Sequence, residues 1–183
     1  GSEMCIRDRF TYVPASTAYS TSSVGGSTYY NGSTDYLTLP SSTSSLYLTG
    51  AFTWEAWVYP LTSTYSQFYG NWNNNTNNNW NFSWNPAGLG GFKLYWYRGN
   101  YGSNEAYKGS TTGLTLNAWN HLAFVRDASN NVYIFLNGQS LTLGTGGSAL
   151  SWSDSFSFTS TESIGVGGTL NYKGFNGYIS GMK

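Results

Sequence analysis

The chain has 183 residues with eight basic and eight acidic side chains, one His and one Cys, a length that suits one domain. Charged residues make up only 9%, Ser, Thr, Asn and Gly fill 88 positions, and 19% of the chain is Phe, Trp or Tyr. At roughly 150–250 Å² per ring, that aromatic content supplies a core and argues against disorder. Zero net charge without a basic run argues against nucleic acid and against an anionic membrane surface. No apolar run approaches the roughly 20 residues that span a bilayer.

Residues 1–9, GSEMCIRDR, resemble the in-frame translation of a transposon-end sequencing adapter, and such segments are set aside from fold reasoning. On this reading the gene begins upstream, and the loss of Cys5 leaves no disulfide, thiol nucleophile or Cys-based metal site. Residues 10–24, with Pro14 and no periodicity, read as a linker or irregular edge segment. Strands follow. Residues 27–30 and 35–39 flank the turn pair Asn31-Gly32. Residues 51–60 alternate Phe52, Trp54, Ala56 and Val58 with Thr53, Glu55, Trp57 and Tyr59, bulk on both faces that predicts a central strand. Residues 71–81 hold eight Asn, two Trp and a Thr, which predicts a long exposed loop. Trp80, Phe82 and Trp84 alternate with Asn81, Ser83 and Asn85, and Phe92, Leu94 and Trp96 alternate with Lys93, Tyr95 and Tyr97, as in a hairpin. Residues 121–126, 132–136 and 139–143 form a meander closed by Asn137-Gly138, and 155–159, 162–166 and 175–182 complete about a dozen short strands with no helical period. The pattern predicts an all-β, two-sheet antiparallel jelly-roll sandwich.

Five stretches carry a family likeness: 29–37 (YYNGSTDYL), 52–60 (FTWEAWVYP), 119–126 (WNHLAFVR), 133–138 (YIFLNG) and 175–183 (FNGYISGMK). In this order, across residues 25–183, the chain resembles the laminin-G-like branch of the concanavalin A-like lectin and glucanase superfamily. The resemblance implies a concanavalin A-like jelly roll that binds glycans or proteins, with only some branches hydrolytic. It also implies a last strand that runs on past Lys183, leaving an edge unpaired in this chain.

Hydrolytic members place their carboxylates on one strand in a Glu-x-Asp-x-Glu type motif, which gives them a common face. Here Asp35, Glu55, Glu105, Asp127, Asp154 and Glu162 are each separated by at least seven residues, so the reading is non-catalytic. Glu55 is expected to be structural, and His121 to be an orienting donor at a strand start. Calcium is the one metal the resemblance suggests, through loop oxygens of Asp127 with Asn130 and Asn131, or of Asp154. The bland alternative for each is a turn-forming residue.

Sugar faces stack on exposed aromatic rings while amides and guanidinium groups bond their hydroxyls. Trp72, Asn74, Asn78 and Trp80 of the Asn-rich loop, with Tyr97 and Arg98, form the candidate set. Trp54, Trp57, Trp96 and Trp119 are expected in the core. The preferred function is a glycan- or cell-surface-polysaccharide-binding module on a larger phage tail or virion adhesin or bacterial surface protein, extracellular or on the virion surface. The alternative is a structural or protein-interaction jelly roll that packs on neighbouring domains or subunits; the third is an accessory domain of a secreted polysaccharide hydrolase.

Overall fold

The computed structural model describes residues 26–39, 48, 50–71, 79–87, 93–100, 104–147, 164–167 and 173–183. The expectations for residues 1–9, 10–24, 72–78 and 155–159 lie outside them. The described residues contain no helix and thirteen strands: β1 (Ser27–Asn31), β2 (Leu37–Leu39), β3 (Phe52–Pro60), β4 (Ser66–Gly70), β5 (Asn79–Trp84), β6 (Leu94–Asn100), β7 (Asn104–Ser110), β8 (Asn120–Arg126), β9 (Val132–Leu136), β10 (Gln139–Ser140), β11 (Gly144–Gly147), β12 (Ile164–Val166) and β13 (Asn176–Ser180). They form a six-stranded sheet in the order β1-β13-β3-β8-β9-β10 and a seven-stranded sheet in the order β11-β7-β6-β5-β4-β12-β2. Every pairing is antiparallel, as the alternating pattern predicts.

Period-two side-chain geometry decides what lies between the sheets. In β3, Trp54, Ala56, Val58 and Pro60 point inward and are buried, while Thr53, Glu55, Trp57 and Tyr59 point outward. Leu122 and Phe124 of β8 join them, and Phe82, Trp84, Leu94 and Trp96 close the core from the other sheet. The sheets meet ring on ring. Phe82 stacks on Phe124 at 4.4 Å and 8°, and Trp54 on Tyr69 at 5.7 Å and 23°. Each fully buried ring contributes about 1.5–3 kcal/mol relative to exposure. The register of β4 on β5 slips between Gln67 and Tyr69. This bulge lets the consecutive Phe68 and Tyr69 both enter the core.

The two Asn-Gly pairs behave differently. Asn137 and Gly138, at φ 51° and 77°, make the tight turn of the β9–β10 hairpin. Asn31-Gly32 makes no hairpin, because β1 pairs with β13 in one sheet and β2 with β12 in the other. Instead Asn31 Oδ1 accepts the N–H groups of Ser33, Thr34 and Asp35 at 2.8, 2.9 and 3.2 Å, turning the chain from sheet to sheet. At the other end, pairing on β3 continues beyond β13, since Lys183 and Glu55 exchange backbone hydrogen bonds of 3.0 and 3.1 Å.

Candidate functional site

Of the residues expected to form a glycan site, the structure describes Trp80, Tyr97 and Arg98. Trp80 lies opposite Arg98 and Asn81 opposite Tyr97 across the β5–β6 pair, so these residues are neighbours. Trp80, however, is on the inward face with Phe82 and Trp84, 1% exposed, its ring 5.2 Å from both Tyr69 and Phe82. Arg98 shares that inward face and Tyr97 points the opposite way, both buried. None of the three offers a ring or guanidinium to solvent. Trp72, Asn74 and Asn78 lie outside the described residues.

Exposed aromatic surface gathers on the outer face of the six-stranded sheet. Register places Tyr29 of β1 opposite Tyr178 of β13, and Tyr178 opposite Tyr59 of β3. Trp119, one residue before β8, meets Tyr59 in turn. The ring centroids are 5.2, 6.0 and 5.4 Å apart and the planes tilt by 50°, 76° and 64°. Tyr29 is 48% and Tyr178 36% exposed, with Tyr59 and Trp119 half-buried. The row therefore crosses four chain segments at right angles to the strands.

Local structure holds each ring in place. Gly177, at φ 149°, lets β13 press against β3, where a Cβ would stand 2.1 Å from the Tyr59 carbonyl oxygen. Gly32 does the same for β1, since a Cβ there would lie 2.8 Å from the Cβ of Asn176. The turn carrying Trp119 is fixed by buried Asn120, which accepts the Thr115 N–H at 3.0 Å and donates to the carbonyls of Thr115 and Ala118 at 2.9 and 2.8 Å. Asn117 adds a backbone bond of 2.9 Å to the Pro60 carbonyl. Trp57 and Trp119, expected in the core, thus lie half-buried on the outer face. The outward register of Trp57 and Tyr59 in residues 52–60 already carried that signal.

Next to the row, the Trp57 ring lies 5.1 Å from that of His121, and His121 Nε2 stands 3.5 Å from Glu55 Oε2. The hydrogen bond with His121 holds the Glu55 carboxyl below its usual range, against the opposing effect of burial. His121 Nε2 thus faces Glu55 across the β3–β8 pair.

Asp127 is spent on its own turn. It accepts the backbone N–H of Ser129 and of Asn131, each at 2.8 Å, the Asn131 side-chain amide at 2.9 Å and the Tyr133 hydroxyl at 3.3 Å. The Asn131 bonds are the foremost cause of its lowered pKa. Asn130 Oδ1 accepts from the Arg126 guanidinium at 2.6 Å. In this arrangement the Asp127 carboxylate and Asn130 Oδ1 meet N–H and O–H donors of the chain, where calcium takes 6–8 oxygen ligands. Asp154 lies outside the described residues, and no cluster of three or more His, Cys, Asp or Glu occurs among those described. No helix among them is long and apolar enough to cross a membrane.

Two antiparallel sheets packed face to face around an aromatic core define a concanavalin A-like jelly-roll sandwich. The chain belongs to the concanavalin A-like lectin/glucanases superfamily, whose third laminin G family model matches residues 31–183. Solved structures share the fold at low identity. The CBM40 module of the Ruminococcus gnavus IT-sialidase superposes with a TM-score of 0.61 and 13% identity over 86% of this chain and 89% of that one. The same module was also solved bound to α2,3 sialyllactose. Domain 4 of AbnA, an extracellular GH43 arabinanase from Geobacillus stearothermophilus, solved with arabinotriose, gives 0.52 and 19% over 88% and 82%. Mouse laminin α1 domains LG4-5 give 0.55 and 13% over 86% of this chain and 40% of that one. A search of curated protein sequences finds no significant match.

Proposed function

We propose that the chain is a non-catalytic glycan-binding module that presents the row Tyr29, Tyr178, Tyr59 and Trp119 to the apolar faces of sugar rings. The row itself carries the proposal: aromatic rings aligned across an exposed sheet face, three of them with a hydroxyl able to donate or accept. Such a patch on a domain marks an interaction surface. The similar structures add support, since the R. gnavus module is described with sialyllactose and the arabinanase domain with arabinotriose. The non-catalytic part rests on the spacing of the carboxylates, which leaves no Glu-x-Asp-x-Glu type set on one strand.

The test is a titration of the full chain and of Tyr29→Ala/Tyr178→Ala against a panel of immobilised polysaccharides, with thermal melting to check the fold. The double variant is expected to melt near the parent and to lose about tenfold or more in affinity, roughly 1.4 kcal/mol. Parental affinity in a folded double variant would reject the site. If no polysaccharide binds and the chain instead self-associates through this face, the protein-interaction reading replaces the glycan one. Trp72→Ala in the same titration tests the separate proposal that the Asn-rich segment, with Asn74 and Asn78, contributes.

A further inference from the structure

We infer that the ligand is the interior of an extended, uncharged polysaccharide chain lying across the strands, a reading that rests on the glycan assignment above. The row is straight and spans three inter-strand steps, about 14 Å at about 4.8 Å each, room for several consecutive sugar rings. Tyr29 belongs to the outermost strand of its sheet and Trp119 to a turn, so no described strand crosses the row at either end. A face with no described strand across either end accepts the middle of a chain. A terminal sugar would need a pocket.

Charge sets the second half of the inference. The row contains no ionisable carboxylate or amine, and its outward neighbours two residues along β1 and β13 are Asn31, Asn176, Ser27 and Ser180. The cationic groups nearest the row, His121 and Lys183, both stand beside Glu55, and the other cations outside residues 1–9 lie elsewhere. Arg126 is buried at the far end of β8, and Arg98 and Lys108 are on the seven-stranded sheet. Lys93 pairs with Ser110 at the edge of that sheet, and Lys173 Nζ sits 5.3 Å over the Tyr65 ring. An acidic glycan would find no charged partner among the four rings, and Glu55, beside the row, is already offset by His121 and Lys183.

Affinity should then grow with chain length. The cost of immobilising the ligand's overall motion is met once, and each further ring covered adds contact until the row is full.

Calorimetric titration of the full chain with neutral arabino-, xylo-, manno- and cello-oligosaccharides of two to six sugars, and with oligogalacturonates of equal length, tests this. At least one neutral series is expected to gain about tenfold or more from two sugars to four and then level off, with the acidic series weaker. Tyr29→Ala, at the row's end, should lower affinity more for the four- to six-sugar members than for the disaccharide, flattening the gain with length. A disaccharide that binds as tightly as the hexasaccharide, or an acidic series that binds as tightly as the neutral ones, overturns the inference and leaves glycan binding in place. Failure of every series, together with the polysaccharide panel, overturns both.

Discussion

The outer faces of the two sheets use the same residue type to opposite ends. On the six-stranded sheet, outward tyrosines Tyr29 and Tyr178 stand in solvent. On the seven-stranded sheet, Tyr95 and Tyr97 also point away from the core, yet both are buried, together with Gln67, Asn81 and Ser83 of the neighbouring strands. Tyr65 packs 6.0 Å from Tyr95, and the Ser83 hydroxyl bonds to the Asn81 amide oxygen. Pointing outward in a strand is a statement about register, whereas exposure depends on what else the chain places over the sheet. Among the described residues, one face is a second packing layer and the other stands partly in solvent.

Truncating one tyrosine on each face gives the largest expected contrast. Tyr95→Ala should cost about 3–5 kcal/mol, the usual range for a buried aromatic ring. Tyr178→Ala removes only cross-strand ring contacts and should cost under about 1 kcal/mol. Denaturant unfolding of the two variants checks this, and equal losses would erase the distinction.

Polar groups sharpen the comparison next. Gln67 is fully buried, and neither its Nε2 nor its Oε1 has a hydrogen-bond partner among the described residues. An unmet buried polar group costs about 1–3 kcal/mol, so Gln67→Met, of similar volume, should raise stability by about 1 kcal/mol. A clear loss in the same unfolding assay would mean that the amide is in fact bonded.

A further effect concerns pH. Burial raises the phenols of Tyr30 and Tyr69 from 10.0 to about 12. Because the folded value lies above the unfolded one, their contribution is complete below pH 10 and disappears as pH rises through the window to about 12. Stability measured against pH should fall across that window, and less steeply in Tyr30→Phe. An unchanged slope would refute the assignment to buried phenols.

Much of the fold was legible because alternation is a local property. The β3 pattern, the β5–β6 hairpin and the turn at Asn137-Gly138 follow from a few adjacent residues. β4, β7 and β11 escaped notice because SQFYG, NEAYKGS and GTGG lack the β-branched run that marks a strand. At Asn31 the side chain competes for the backbone donors, and the hairpin suggested by Asn-Gly gives way to a crossing between sheets. The site was harder to see. Asn on both sides of Trp80 suggested exposure, although its period with Phe82 and Trp84 pointed inward. Residues 29, 59, 119 and 178 become neighbours only through the order β1-β13-β3-β8, which no local window reveals.

The central claim, that the six-stranded face is the recognition surface, is tested most directly by mapping backbone and indole NMR shifts while a binding oligosaccharide is added. The account predicts changes clustered at Tyr29, Tyr59, Trp119 and Tyr178, with Asn81, Ser83, Tyr95 and Tyr97 still. Changes confined to the second group would contradict it.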